Sequence, residues 1–389
     1  MSTSPYNNFV KAGVLAIFAI QFEMSLTTPA LGAIASAFPD VNPTLVQMIA
    51  SLPYLITIFS APFSAYIVRV KSLRFALNIG MITLFIGGIL PGLFGDFYFI
   101  LACRVLFGFG YGFMFNLGPS VVNSLFHGRE RDNMLGYQSA VGSVAGIIYG
   151  MIGGFLAGLF WRYAFLGFII MIPLMVLVMA AVPNPQQSEK KEETVSKDGV
   201  TGKTWLYAVL IALAYALIFS WISNTAMVVV LEKIGTSAQA GLVMSIFTIG
   251  CTIGGLTFGK LSDMLKRYHS PFCLILCGIG IFIAYFASSM IVFYISGFIF
   301  GIAFVSFACR LYVIGAESAP NNQSLGISYM VSASCVGQFV SPLMLAALTP
   351  ILGFSGLRAS WLISWPMLIL VGIVMTLLVV MRNRTAEAV

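Results

Sequence analysis

Twelve apolar runs, each long enough to cross a bilayer as a helix, take up nearly all of this 389-residue chain. A helix needs about 20 apolar residues to span the hydrocarbon core. Such runs between polar breaks place the first six spans at about 10–38, 44–68, 75–94, 97–125, 133–159 and 162–182. Six more follow at about 205–231, 238–262, 271–289, 291–316, 324–351 and 358–381. Several exceed one bilayer thickness, which tilt or extension beyond the bilayer accommodates. Residues 183–204 form the one sustained polar stretch, and its Pro, Gln, Lys and Glu content cannot build a core. The expected fold is an all-α membrane protein with twelve transmembrane helices in two pseudo-symmetric six-helix bundles, 1–182 and 205–389, joined by that linker.

Composition excludes the soluble alternatives. Apolar residues make up 59% of the chain and charged residues 8%, against roughly 25% charged in a soluble domain. So few charges cannot cover a water-facing surface, which argues against a soluble enzyme. The six cysteines fall inside apolar runs, and none is spaced for metal with His127 or His269, both expected in loops. Neither a metal, a cofactor nor a disulfide framework is expected. The first apolar run exceeds the roughly 7–15 residues of a signal sequence and is read as a span rather than a cleaved leader. No phosphate-cradling Gly-x-x-x-x-Gly-Lys-Ser/Thr loop is present, so no ATP-driven activity is expected.

Charge sets the orientation. With the N-terminus inside, the cytoplasmic side collects Lys11, Arg69, Lys71, Arg74, Arg129, Arg131, the linker lysines, Lys260, Lys266, Arg267, Arg382 and Arg384. The opposite side holds Arg162, Lys233 and Arg358. This bias predicts cytoplasmic termini, and it explains the formal charge of +7 without a nucleic-acid partner. A cell inner membrane is the expected location.

The halves echo each other. Asp132-Asn-Met-Leu-Gly136 opens span 5 and Asn322-Gln-Ser-Leu-Gly326 opens span 11. Trp161-Arg162-x-x-Phe165 opens span 6 and Leu357-Arg358-x-x-Trp361 opens span 12. Two such halves in parallel relation are a transporter arrangement. Between spans 8 and 9 the chain reads Gly259-Lys-Leu-Ser-Asp263-Met-Leu-Lys266-Arg267, and between spans 2 and 3 Ser64-Ala-Tyr-Ile-Val68-Arg69-Val-Lys71-Ser-Leu-Arg74. Span 4 carries Arg104-Val-Leu-Phe-Gly108-Phe-Gly110 and span 5 Tyr149-Gly150-Met-Ile-Gly153-Gly154. With the six-linker-six layout, these strings resemble the major facilitator superfamily over essentially the whole chain, and its drug-and-proton antiporter branch in spacing. Departures from the family's motifs are Val68 at the acidic loop position, Phe107 at the usual glutamine, and no proline in the span 5 motif. The resemblance implies a charge latch at Asp263 and Arg267, weakened in the N-terminal copy, and a cavity lined by spans 1, 4, 7 and 10.

Of thirteen acidic residues, Glu23 alone lies well inside a span. A mid-membrane carboxylate costs about 2.5 kcal/mol or more unless it is paired, protonated or wet. That suits a proton carrier, and equally a structural ion pair between helices. Arg104, at similar depth, is its expected partner; as an alternative it anchors span 4 to a neighbour's carbonyls. Arg310 either faces the cavity as a second cation or snorkels to Glu317, two turns along. Gln21, Tyr111, Asn116, Trp221, Asn224 and Arg310 are the substrate-contact candidates, with Tyr215, Phe304 and Tyr312 on the same spans. Glycines at 142, 146, 150, 154 and 158 form a small-residue stripe for close helix approach.

The expected function is proton-coupled efflux of small hydrophobic compounds by alternating access, with Glu23 carrying the proton and Arg104 tuning it. One alternative is uptake or exchange of an organic anion on Arg104 and Arg310. Another is a non-transporting sensor on the same fold, which would show no substrate flux. The expected partners are the substrate, protons and lipid, and a monomer suffices because one chain holds both halves.

Overall fold

The computed structural model describes residues 7–183, 202–319 and 322–387. The central part of the expected linker, 184–201, lies outside them. Apart from short connections the described chain is helical: α1 (Asn8–Ala37), α2 (Pro43–Val70), α3 (Leu73–Gly92), α4 (Phe97–Leu125), α5 (Gly128–Leu159), α6 (Trp161–Ala181), α7 (Gly202–Leu231), α8 (Ser237–Leu265), α9 (His269–Tyr285), α10 (Met290–Ser318), α11 (Gln323–Ile351) and α12 (Ala359–Glu387). Polar residues between the apolar runs start these helices. The side chains of Asn7, Asn42, Ser72, Asp96 and Asn322 each accept a hydrogen bond from a first-turn amide.

By length and composition, the helices give eleven candidate spans, because Ser237–Tyr285 runs as one helical stretch of 49 residues interrupted only by the short polar string Lys260 to Arg267. At about 1.5 Å per residue, one straight helix of that size would be roughly twice as long as the bilayer core is thick. A short 3₁₀ segment, Lys266–Tyr268, divides it, with Lys266 in the left-handed region at φ 49. The result is the twelve-helix membrane fold.

Two compact units emerge: Met1–Thr194 with Thr236–Ser245, and Val195–Gly235 with Ile246–Val389. In the first, α2 and α3 both pack on α4 through glycines. A Cβ at Gly108 would meet Pro53 at 2.7 Å, and one at Gly80 would meet Phe113 at 2.7 Å. Its core is Ile17, Phe18, Leu84, Phe107, Phe113, Leu117 and Phe168, all buried. The second unit repeats the pairing pattern. There α8 meets α10 at Gly250 and Gly254, α9 meets α10 at Gly280, and Ser341 of α11 donates to the Ala216 carbonyl of α7 at 2.6 Å.

A polar network braces the second unit. Ser220 bonds Ser364 at 3.0 Å, Asn224 bonds Ser360 at 2.9 Å, and the Trp361 indole donates to the Ser220 carbonyl at 2.9 Å. At the far end of α7, Arg358 pairs with Glu232 at 2.7 Å and donates to the Tyr285 carbonyl, joining the approach to α12 with α7 and α9. Arg358→Ala is expected to cost about 2 kcal/mol, read as a lower thermal unfolding midpoint in detergent. Arg358→Lys, which keeps the charge without the fork, should fall between.

Candidate functional site

The first helix is not continuous. The i→i−4 ladder of α1 lapses after Gln21, and three-residue turns take over: Phe22 N to Ala19 O at 3.3 Å, Ser25 N to Phe22 O at 3.0 Å and Leu26 N to Glu23 O at 2.9 Å. A 3₁₀ turn, Thr28–Ala30, follows before α1 resumes at Leu31. Short 3₁₀ stretches inside a helix often mark a functional hinge. The break sits against the glycines of α5. A Cβ at Gly142 would meet the Phe22 ring at 2.9 Å or closer, and one at Gly153 would meet the backbone of Leu26.

Glu23 lies at this break, 0% exposed. Both its carboxyl oxygens are buried without a hydrogen-bond partner. Arg104 of α4 is also 0% exposed, and none of its three guanidinium nitrogens has a hydrogen-bond partner. Its charge lies instead over two ring faces, 4.7 Å from the centroid of Phe107 and 5.1 Å from that of Phe165. Among the described residues, Glu23 and Arg104 form no ion pair. Tyr149 of α5 is also buried, 3% exposed. Burying an ion costs several kcal/mol, recovered only with good pairing geometry. A proton or a positive ligand on Glu23 would relieve that cost.

The other candidates are engaged in packing. Gln21 donates its amide to the Met114 carbonyl, tying α1 to α4 beside the break. Tyr111 stacks on Phe107 at 6.3 Å and meets Tyr54 edge-on at 6.1 Å, so Arg104, Phe107 and Tyr111 form a cationic-aromatic stripe on α4. Asn116 donates to Ser64 at 2.7 Å and to the Ala61 carbonyl, holding α4 to α2. In the second unit Trp221 stacks on Phe300 at 4.6 Å and donates to Ser296 at 2.9 Å. Asn224 belongs to the bracing network, and Tyr215 packs its ring on Phe304 and Phe307. Tyr312 is exposed.

Arg310 pairs with Glu317 at 3.8 Å, the snorkelling arrangement, although Glu317 is 63% exposed. Asp263 is exposed and forms no ion pair among the described residues; Arg267 is exposed beside the left-handed turn. His269 departs from the loop reading: it opens α9 fully buried, edge-on to Phe258 at 5.2 Å. Tyr149, Phe107 and Phe165 were legible in the sequence only as motif positions and not as site residues, because in a chain with 14% aromatic residues no single ring stands out. Among the described residues, no group of three or more His, Cys, Asp or Glu side chains could hold a metal ion.

Comparison with known proteins places this geometry in a family. The model of the Major Facilitator Superfamily matches residues 13–224 and 209–389. The chain is 25% identical over 214 residues to the multidrug efflux pump SdrM of Staphylococcus aureus, covering 54% of this chain and 46% of that protein. It is 30% identical over 101 residues to the steroid transmembrane transporter SLC22A24 of Oryctolagus cuniculus, covering 25% of this chain and 18% of that protein. The chain thus spans less than half the length of the curated relatives it matches. Among solved structures, the nucleoside transporter NupG superposes with a TM-score of 0.77 at 13% identity, covering 95% of this chain and 99% of that one.

Proposed function

The chain belongs to the major facilitator superfamily, and from that premise we propose a proton-coupled exporter of small, lipophilic, cationic compounds. It is a multi-pass membrane transporter, not an enzyme. The observation that carries the proposal is Glu23: a buried carboxylate with no hydrogen-bond partner, at a break in a membrane helix, facing no ion-pair partner. Intramembrane ionisable groups of this kind mark proton and substrate pathways. In our reading Glu23 exchanges a proton for a ligand's positive charge, while Arg104 biases it from a distance. The half-buried ring of Tyr111, stacked on Phe107, offers an apolar, quadrupolar wall for the ligand. Similarity to SdrM supports efflux. The termini are assigned to the cytoplasmic side of an inner membrane, and the chain to a working monomer.

Arg104 is unpartnered too, and that favours a second reading, transport of an organic anion. Everted vesicles with an imposed pH gradient separate the two. Tetraphenylphosphonium should accumulate while the gradient lasts and leak out when a protonophore collapses it. Accumulation of an anionic steroid sulfate alone would overturn the cation reading.

A further inference from the structure

His269 opens α9 four residues before Cys273, a spacing that puts both side chains on one face of the helix, a turn apart. The Cys273 thiol lies 3.8 Å from His269 Nδ1. Both residues are 0% exposed. Among the described residues that thiol is the one hydrogen-bonding contact of the imidazole. Its Nε2 is buried without a partner, and the ring meets Phe258 of α8 edge-on at 5.2 Å. A thiol is a weak donor and a weak acceptor, so this contact offsets little of the cost of burying an imidazole. What a thiolate and an imidazole share is affinity for soft metal ions.

We propose that His269 and Cys273 form a two-ligand site for a soft monovalent ion, Cu(I) or Ag(I). The pair lies in the second unit and does not depend on the role given to Glu23. Ligand bonds of about 2.3 Å to sulfur and about 2.0 Å to nitrogen would bridge the 3.8 Å between the two atoms with an angle of about 125° at the ion. Among the described residues no third His, Cys, Asp or Glu completes the set. That disfavours Zn(II), which structural sites almost always hold with four ligands. A singly charged ion with a filled d shell accepts the lower coordination. On binding, the thiol releases its proton to solvent and its sulfur donates an electron pair to the ion; Nδ1 donates its lone pair, and Nε2 keeps its hydrogen. Thiolate and ion then cancel in charge, which lowers the cost of holding either in the interior. The exposed residues Lys266 and Arg267 directly precede the site in the chain, so water lies close to it.

The test titrates the full chain, purified in detergent under ascorbate, with Cu(I) held by the coloured chelator bicinchoninate. The wild type should withdraw one more ion per chain than Cys273→Ser. His269→Gln should weaken the binding of that ion by about tenfold or more. Unchanged affinity in His269→Gln would overturn the site, because the thiol would then act alone. An unchanged count in Cys273→Ser would overturn it too, because the ion would sit on another cysteine. X-ray absorption at the copper edge needs no variant. In wild-type protein loaded below one equivalent, the ion should show a mixed shell of sulfur and nitrogen. A shell of sulfur alone would overturn the proposal even if neither variant folds.

Discussion

Replacing Glu23 with glutamine is expected to remove proton-driven accumulation, a fall of about two orders of magnitude, without lowering the thermal unfolding midpoint. The two readouts together decide between the roles open to this side chain. If Glu23 were half of a structural ion pair with Arg104, breaking the pair would leave an uncompensated buried charge and cost about 3–5 kcal/mol. The structure instead leaves both carboxyl oxygens without a hydrogen-bond partner. Glutamine keeps the shape and removes a charge that burial penalises, so the folded state should hold or gain stability. A protein that melts earlier and still couples would reverse the assignment. Flux assays in proteoliposomes and melting in the same detergent-purified sample provide the comparison.

The second large effect is expected at Gly154, not at its neighbour in the stripe, Gly158. An added Cβ at Gly154 would lie 2.7 Å from the Gly241 Cα and 2.7 Å from the Ser237 carbonyl, too close for backbone atoms to yield cheaply. At Gly158 the nearest atom, the Ala238 nitrogen, is 3.8 Å away. The start of α8 is also fixed to α5 by Ser245, which donates to the Ile147 carbonyl at 2.9 Å. Thr236–Ser245 belongs to the first unit together with α5, so the contact is part of that unit's own packing. Overpacking costs about 1–3 kcal/mol, which at 1.4 kcal/mol per tenfold shifts a conformational equilibrium by about 5- to 100-fold. Gly154→Ala should therefore slow flux by about that factor, and Gly158→Ala should stay within about twofold of wild type. Equal effects at the two positions would show that the close approach at Gly154 plays no special part.

Most of the architecture was legible because lipid imposes simple arithmetic. Run lengths and polar breaks located the spans, and the glycine spacing in α5 anticipated the close approach of Gly241 at Gly150 and Gly154. The boundary between α8 and α9 was marked by the polar string Lys260-Leu-Ser-Asp263-Met-Leu-Lys266-Arg267, while the geometry of the turn depends on a left-handed Lys266 that no glycine announces. Glu23 was legible as an acid in an apolar run. The break around it was not, since Gln21-Phe-Glu-Met contains neither glycine nor proline. Its separation from Arg104 depends on Phe107 and Phe165 capturing the guanidinium, a tertiary arrangement that spacing cannot reveal. Polar residues on the expected cavity helices were harder still. Asn116 and Asn224 have the composition of ligand contacts, yet they bond to Ser64 and Ser360 of neighbouring helices.

In the proposed cycle Glu23 trades a proton for a cationic ligand. The most direct measurement is proton release on ligand addition to purified protein in weakly buffered detergent, followed with a pH-sensitive dye. Tetraphenylphosphonium should release protons from the wild type in proportion to the protein present, and none from Glu23→Gln. Undiminished release from Glu23→Gln would contradict the account and place the exchanging proton elsewhere in the chain.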